Sequence, residues 1–205
     1  MKIYEAAEHC LFKRTNVSEL RYNEYTIGVK QNGKYALSLY MIDTGDESRG
    51  KLGITKAQCD WVSDVSYKIE KSYGKIPAHM YMHVALSTFD DALTEKYPDW
   101  WAGAILGKTL EAQDGDFGLC RTVSASDPRN LNAEMFEVAK SANVTNIYAG
   151  HAHTASFSVL YEGVRLTMGL KTGEYDSHNK NFLGSTLTTF KEGVSTVEHK
   201  FYEEE

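Results

Sequence analysis

The chain has 205 residues, 42% of them hydrophobic and 24% charged, and a formal net charge of −6. That size and balance suit one soluble globular domain. An acidic chain without a Lys/Arg cluster carries no electrostatic footprint for nucleic acid, and its apolar runs fall well short of the roughly 20 residues that a membrane-spanning helix needs.

The opening segment, Met-Lys-Ile-Tyr-Glu-Ala-Ala-Glu-His-Cys, places acids where a secretory leader needs an unbroken apolar stretch. Cys10, Cys59 and Cys120 are odd in number and widely spaced, so any disulfide scheme leaves one thiol free. A reduced compartment, the cytoplasm, is therefore the expected setting. Asn16-Val17-Ser18 and Asn143-Val144-Thr145 are formal glycosylation sequons that matter only in a secreted protein.

Tyr25 to Val29 and Tyr35 to Asp43 read as strands joined at Gln31-Asn32-Gly33-Lys34, because Asn-Gly is a strong hairpin signal. The second strand opens into a Thr44-Gly45-Asp46 loop. Cys59, Val62, Val65 and Ile69 recur at spacings of three and four, which predicts a helix with Thr55 as N-cap and Gly74 as stop. His79 to Leu86 is expected to return as a strand, and strand, helix, strand in that order predicts a right-handed parallel crossover.

Ser87 to Asp127 is aromatic and glycine-containing and reads as long loops near a functional edge. A short helix is expected over Leu131 to Ala142 and a strand over Thr145 to Ala149. Two hairpins follow: Ser156 to Tyr161 with Val164 to Met168, turning at Glu162-Gly163, and Leu183 to Phe190 with Val194 to Tyr202, turning at Lys191-Glu192-Gly193. The expected fold class is α/β: one unit over residues 1–205, with a mixed sheet and β-hairpins toward the C-terminus.

The chemistry concentrates on three histidines. Asn146-Ile147-Tyr148-Ala149 breaks at Gly150 and delivers His151-Ala152-His153, while Met80-Tyr81-Met82 delivers His83. In extended chain, residues i and i+2 point the same way, so His151 and His153 can reach one point. The carboxyl edge of an open α/β sheet is where ligands bind. Three imidazoles there suit a transition metal, and three neutral histidines alone suit one Zn²⁺ in an open site.

Weaker candidates have plainer readings. Glu174, Asp176 and His178 alternate and could converge on one strand face, but a solvated loop is the simpler reading. Asp116-Phe117-Gly118 matches a kinase triplet with none of the accompanying motifs and reads as coincidence. Trp100 and Trp101 read as packed or partner-facing aromatics. His79 either orients His83 from behind or packs beside Tyr81. His9 and His199 carry no motif.

Gly150-His151-Ala152-His153 resembles the GHxH signature of calcineurin-like metallophosphoesterases, which include the purple acid phosphatases, and His83-Val84-Ala85-Leu86 resembles their HxPL segment. Leu39 to Gly45 is similar to the family's strand ending in a DSG-type turn, and Gln58-Cys59-Asp60-Trp61-Val62 to its Q-x-x-W-L helix. Gly163-Val164-Arg165-Leu166 and Lys171-Thr172-Gly173 are similar to the strand and KTG turn of the fungal-type phosphatase branch. These segments run in family order from about Tyr25 to Phe190. Ala85 stands where the family has proline, and Ala152 where aspartate is commoner. No GDxH, GDxx(D/Y) or GNH segment is present; Gly45-Asp46 and Gly115-Asp116 have the wrong following residues.

The resemblance implies an αββα phosphoesterase sandwich of which this chain is the C-terminal half. It also implies phosphomonoester hydrolysis at a dinuclear centre of Fe, Mn or Zn. His83 and His151 would bind the second metal and His153 the first, while the bridging carboxylate, the asparagine and the catalytic histidine would come from the missing segments. Phosphorylated small molecules or proteins would be substrates, and strands left unpaired would favour self-association or complementation by the N-terminal half. The alternatives are a non-catalytic interaction module on the same scaffold and a mononuclear three-histidine metal-binding protein.

Overall fold

Tyr25–Gln31 (β1) and Lys34–Met41 (β2) pair antiparallel across Asn32-Gly33. Both turn residues have positive φ, 52° and 77°, as a two-residue hairpin turn matching the strand twist requires. Glu162-Gly163 and Glu192-Gly193 close their hairpins in the same way. The computed structural model describes Glu8, Cys10, Leu11, Leu20 and residues 24–46, 51–100, 103–120 and 133–202.

Gly45–Asp46 (β3) and Lys51–Leu52 (β4) form a short ladder after β2. Helix α1, Lys56–Tyr73, starts at a complete capping box: Gln58 N donates to Thr55 Oγ1 (3.2 Å) and Thr55 N donates to Gln58 Oε1 (2.8 Å). It stops at Gly74, with φ 81°. Ala78–Tyr81 (β5) then lies parallel beside β2, in the expected crossover order.

Two expectations need correction here. The strand over His79 to Leu86 ends at Tyr81, where Val84, Ala85 and Leu86 turn into the core at 1% exposure or less. Periodicity alone does not separate a buried strand from a buried connection. Ser87 to Asp127 is not simply loop: Thr88–Lys96 forms helix α2, and Ala104–Leu106 (β6) pairs with Phe117–Cys120 (β7). Their apolar residues are few and the strands short, so neither period registers in the sequence. Residues 101, 102 and 121–132 lie outside the described residues.

Ala133–Ser141 (α3) leads into Val144–Ala149 (β8), followed by Ser156–Tyr161 (β9) and Val164–Met168 (β10). A 3₁₀ turn at Lys180–Phe182 precedes the hairpin Gly184–Lys191 (β11) and Val194–Phe201 (β12). The main sheet is mixed and eight-stranded, in the order β1-β2-β5-β8-β10-β9-β7-β6, with β2, β5, β8 and β10 mutually parallel.

Alternation divides this sheet into two unlike faces. On one face Tyr40, Met80, Ile147, Leu166 and Val159 form a register row across five strands. They join Cys59 and Val62 of α1, Phe89 and Leu93 of α2, and Met135 and Phe136 of α3 in one core. The opposite row, Tyr81, Tyr148, Thr167, Ser158 and Phe117, lies beneath the β11–β12 hairpin. His79 Nε2 sits 2.6 Å from Ser195 Oγ, and the His79 ring meets Phe190 edge-on. Ser156 Oγ lies 3.4 Å from His199 Nδ1, and Phe117 packs against the His199 ring.

Candidate metal centre

Strands β2, β5 and β8 end side by side, and their carboxyl ends carry Asp43-Thr44, His83 and Gly150-His151. Backbone bonds extend the pairing past the strands: Ile42 N donates to Tyr81 O, Met82 N to Tyr148 O, and Gly150 N to His83 O at 2.9 Å. His151 takes the left-handed conformation, φ 69°, directly after this last bond. The chain therefore leaves the sheet abruptly at β8 and turns its imidazole back toward β5.

His83 Nε2 and His151 Nδ1 stand 3.4 Å apart, with the rings nearly perpendicular. Zn–N bonds of about 2.0–2.1 Å at a tetrahedral angle put two ligand nitrogens about 3.3–3.4 Å apart, so this spacing fits two imidazoles on one ion. The same spacing also suits an N–H···N bond between two neutral rings. His83 is exposed and His151 partly so, which leaves both within reach of a solute. The His83 pKa is held below the ordinary histidine value, first by partial burial of the ring and then by the neighbouring His151 and His153. Its neutral form, the one a metal needs, is favoured.

The third expected ligand, His153, has Asp176 as its neighbour. Its ring influences His83 electrostatically, while its Nδ1 faces Asp176 Oδ2 at 3.7 Å, too long for a direct hydrogen bond. Among the described residues no group of three or more His, Cys, Asp or Glu side chains stands in position to hold an ion. Glu174 and Asp176 are exposed in a turn rather than on a strand face, and His178 Nδ1 lies 2.9 Å from the Asp176 carbonyl oxygen. The solvated-loop reading fits them.

The remaining candidates find structural roles. His79 is 1% exposed and packs beside Tyr81 and Tyr148, facing the hairpin rather than His83. Burial pushes its pKa down to about 4. His199 is also pushed down to about 4 by burial, partly offset by the Met168 backbone. Trp100 packs against the core. Trp101, His9 and Asn16 lie outside the described residues. Asn143 uses its amide to donate to Ile76 O at 2.6 Å from a partly buried site, which is unfavourable for a glycan acceptor.

The Asp116-Phe117-Gly118 triplet also has a physical explanation. Asp116, with no side-chain exposure, accepts from Lys96 Nζ (2.6 Å), Tyr97 Oη (2.7 Å), Leu160 N (2.8 Å) and Arg165 (3.1 Å). This network ties the β6–β7 hairpin to α2, β9 and β10. Gly118 has φ 111°, and a Cβ there would lie 2.2 Å from Ser156 O. Sequence reasoning missed this hub because its five groups come from four separate segments.

No family model and no curated protein matches this chain. The chemistry of the site therefore rests on its own geometry. Two imidazoles stand with ring nitrogens 3.4 Å apart, and the third lies nearby against an exposed carboxylate. Among the described residues no helix is long and apolar enough to cross a membrane.

Proposed function

We propose that this chain belongs to the chemistry of metal-dependent phosphoester hydrolysis and carries part of its metal centre. The observation that carries the reading is the meeting of His83 Nε2 and His151 Nδ1, 3.4 Å apart at adjoining strand ends. The order of the segments resembling calcineurin-like phosphoesterases, from Tyr25 to Phe190, supplies the reaction class.

In this reading His83 and His151 hold one divalent ion, Fe, Mn or Zn, while His153 is the contribution to a second. Bound ions of this kind supply Lewis acidity toward a phosphoryl group and a hydroxide nucleophile near neutral pH. The chain's own residues hold and orient the His83 and His151 imidazoles at a solvent-accessible edge. The bridging carboxylate and the proton donor come from outside the described site. The αββα sandwich belongs to the same proposal: the helix layer, the eight-stranded sheet and the overlying hairpin are three layers that such an arrangement would contain. A phosphorylated small molecule or protein is the substrate class, with self-association or complementation through unpaired strand edges.

A second reading is favoured by one specific observation, the absence of a three-ligand group among the described residues. It is a scaffold module that retains a two-histidine metal site without catalysis. A phosphatase assay with a chromogenic phosphomonoester and added Mn²⁺, Zn²⁺ or Fe²⁺ separates the two. Metal-dependent turnover that disappears in His151→Ala supports the hydrolase. Metal uptake without turnover supports the scaffold.

A further inference from the structure

The histidine pair is held by a set of bonds that runs across the sheet edge, and one of them is made by a side-chain hydroxyl. Parallel pairing between β2 and β5 ends with Ile42 N donating to Tyr81 O. Beyond that point the chain after β2 turns away, its Asp43 carboxylate accepting from Gly45 N at 2.8 Å. A side chain reaches the β5 side here: Val84 N donates to Thr44 Oγ1 at 3.2 Å. Thr44 is 2% exposed and Val84 1%, so water has little access to the bond.

His83 is thereby clamped on both sides. On one flank Gly150 N, one residue before His151, donates to the His83 carbonyl. On the other, the residue after His83 is tied to Thr44. Thr44 is itself fixed: its carbonyl accepts from Gly53 N at 2.9 Å, and the preceding Asp43 carbonyl accepts from Gln58 Nε2 at 2.7 Å. Gln58 is fully buried and also closes the capping box of α1. The clamp thus runs from the first turn of α1 through the end of β2 to the end of β5, and on to β8.

We propose that Thr44 is a positioning residue whose hydroxyl fixes the backbone at His83 and so sets the His83–His151 spacing for a bound metal. The inference rests on the two-histidine metal reading. Partners that hydrogen-bond a ligating imidazole directly are typically worth about 10–100-fold in metal affinity. Thr44 acts one step further out, on the backbone that carries the ring, which points to the lower end of that range. Valine is nearly the same size as threonine but cannot accept from Val84 N; serine can.

The test is a Zn²⁺ and Co²⁺ titration of the wild-type chain, Thr44→Val and Thr44→Ser, read by calorimetry and by the visible Co²⁺ spectrum. The expected result is binding weakened about tenfold or more in Thr44→Val, with a shifted Co²⁺ spectrum, and wild-type affinity and spectrum restored in Thr44→Ser. Wild-type affinity and spectrum in Thr44→Val would overturn the role of Thr44 while leaving the metal site standing. No uptake by the wild-type chain would overturn the metal reading and this inference with it. Hydrogen exchange on the wild-type chain gives a check that does not depend on the variant folding. Zn²⁺ is expected to slow exchange of the Val84 and Gly150 amides together; slowing at Gly150 with Val84 unchanged would also overturn the proposal.

Discussion

The helix-covered face of the main sheet is built from Tyr40, Met80, Ile147, Leu166, Val159 and Phe157, whereas the hairpin-covered face buries His79, Asn146, Thr167, Ser156 and Ser158. Both faces are covered, but they hold their partners by different physics. Apolar burial is non-directional and tolerates substitution of similar volume. A buried polar layer is stable only where each group finds a partner, as Ser158 Oγ does with Thr167 Oγ1 at 3.0 Å. The first face supplies bulk stability; the second fixes how the β11–β12 hairpin sits.

The largest expected effect lies where the polar layer meets α2. Asp116→Ala leaves Lys96 and Arg165, both largely buried, without their shared carboxylate. A loss of about 3–5 kcal/mol in urea unfolding is expected; a loss below about 1 kcal/mol would show that the network is not a structural hub. On the apolar face, Leu166→Ala removes a fully buried side chain from the central strand row. Its expected cost is about 3–4 kcal/mol, and a much smaller value would mean that the helix layer collapses around the cavity.

The polar face should respond to acid in a way the apolar face does not. The folded pKa of His79, about 4, lies below its ordinary 6.5, so the unfolded chain binds more protons between those values. Above about pH 6.5 the ring is neutral in both states and costs nothing. As pH falls toward 4 the fold loses about 3 kcal/mol from this residue, and below 4 the loss levels off. His199 adds in the same direction. Urea midpoints at pH 7 and pH 4.5 measure the slope, which His79→Asn should make shallower; an unchanged slope in that variant would assign the acid sensitivity elsewhere. The smallest effect is expected for Ser158→Ala, about 1 kcal/mol, because Thr167 loses a single neutral hydrogen bond.

The helix face was legible because it is written in periods. Cys59, Val62, Val65 and Ile69 marked α1, and strand-like runs bounded by turn residues marked β2, β8, β9 and β10. Asn32-Gly33, Glu162-Gly163 and Glu192-Gly193 marked their turns because side chains rarely adopt two successive positive φ angles. The hairpin face was not legible, since Ser156, Ser158, Thr167 and Asn146 look like a solvated strand face until something covers them. Helix α2 and the β6–β7 pair were hidden for another reason: the packing of Phe89, Leu93 and Asp116 is settled by distant residues. At the candidate site, motif spacing brought His83 and His151 to one place but did not determine where His153 would point. The Thr44 clamp was invisible because a lone threonine after a strand has no pattern.

Histidine itself makes the same comparison at the scale of one residue. His79 is buried and His199 half-buried between the layers, both with depressed pKa values, whereas His83 and His151 reach solvent at the sheet edge with ring nitrogens facing each other. In the proposed reading it is the second pair that takes an ion. Zinc titration of the chain at neutral pH, alongside His83→Ala, His151→Ala and His79→Asn, tests this most directly. One ion per chain is expected, lost in both edge variants and retained in His79→Asn. No uptake by the wild-type chain, or equal uptake in the edge variants, would contradict it.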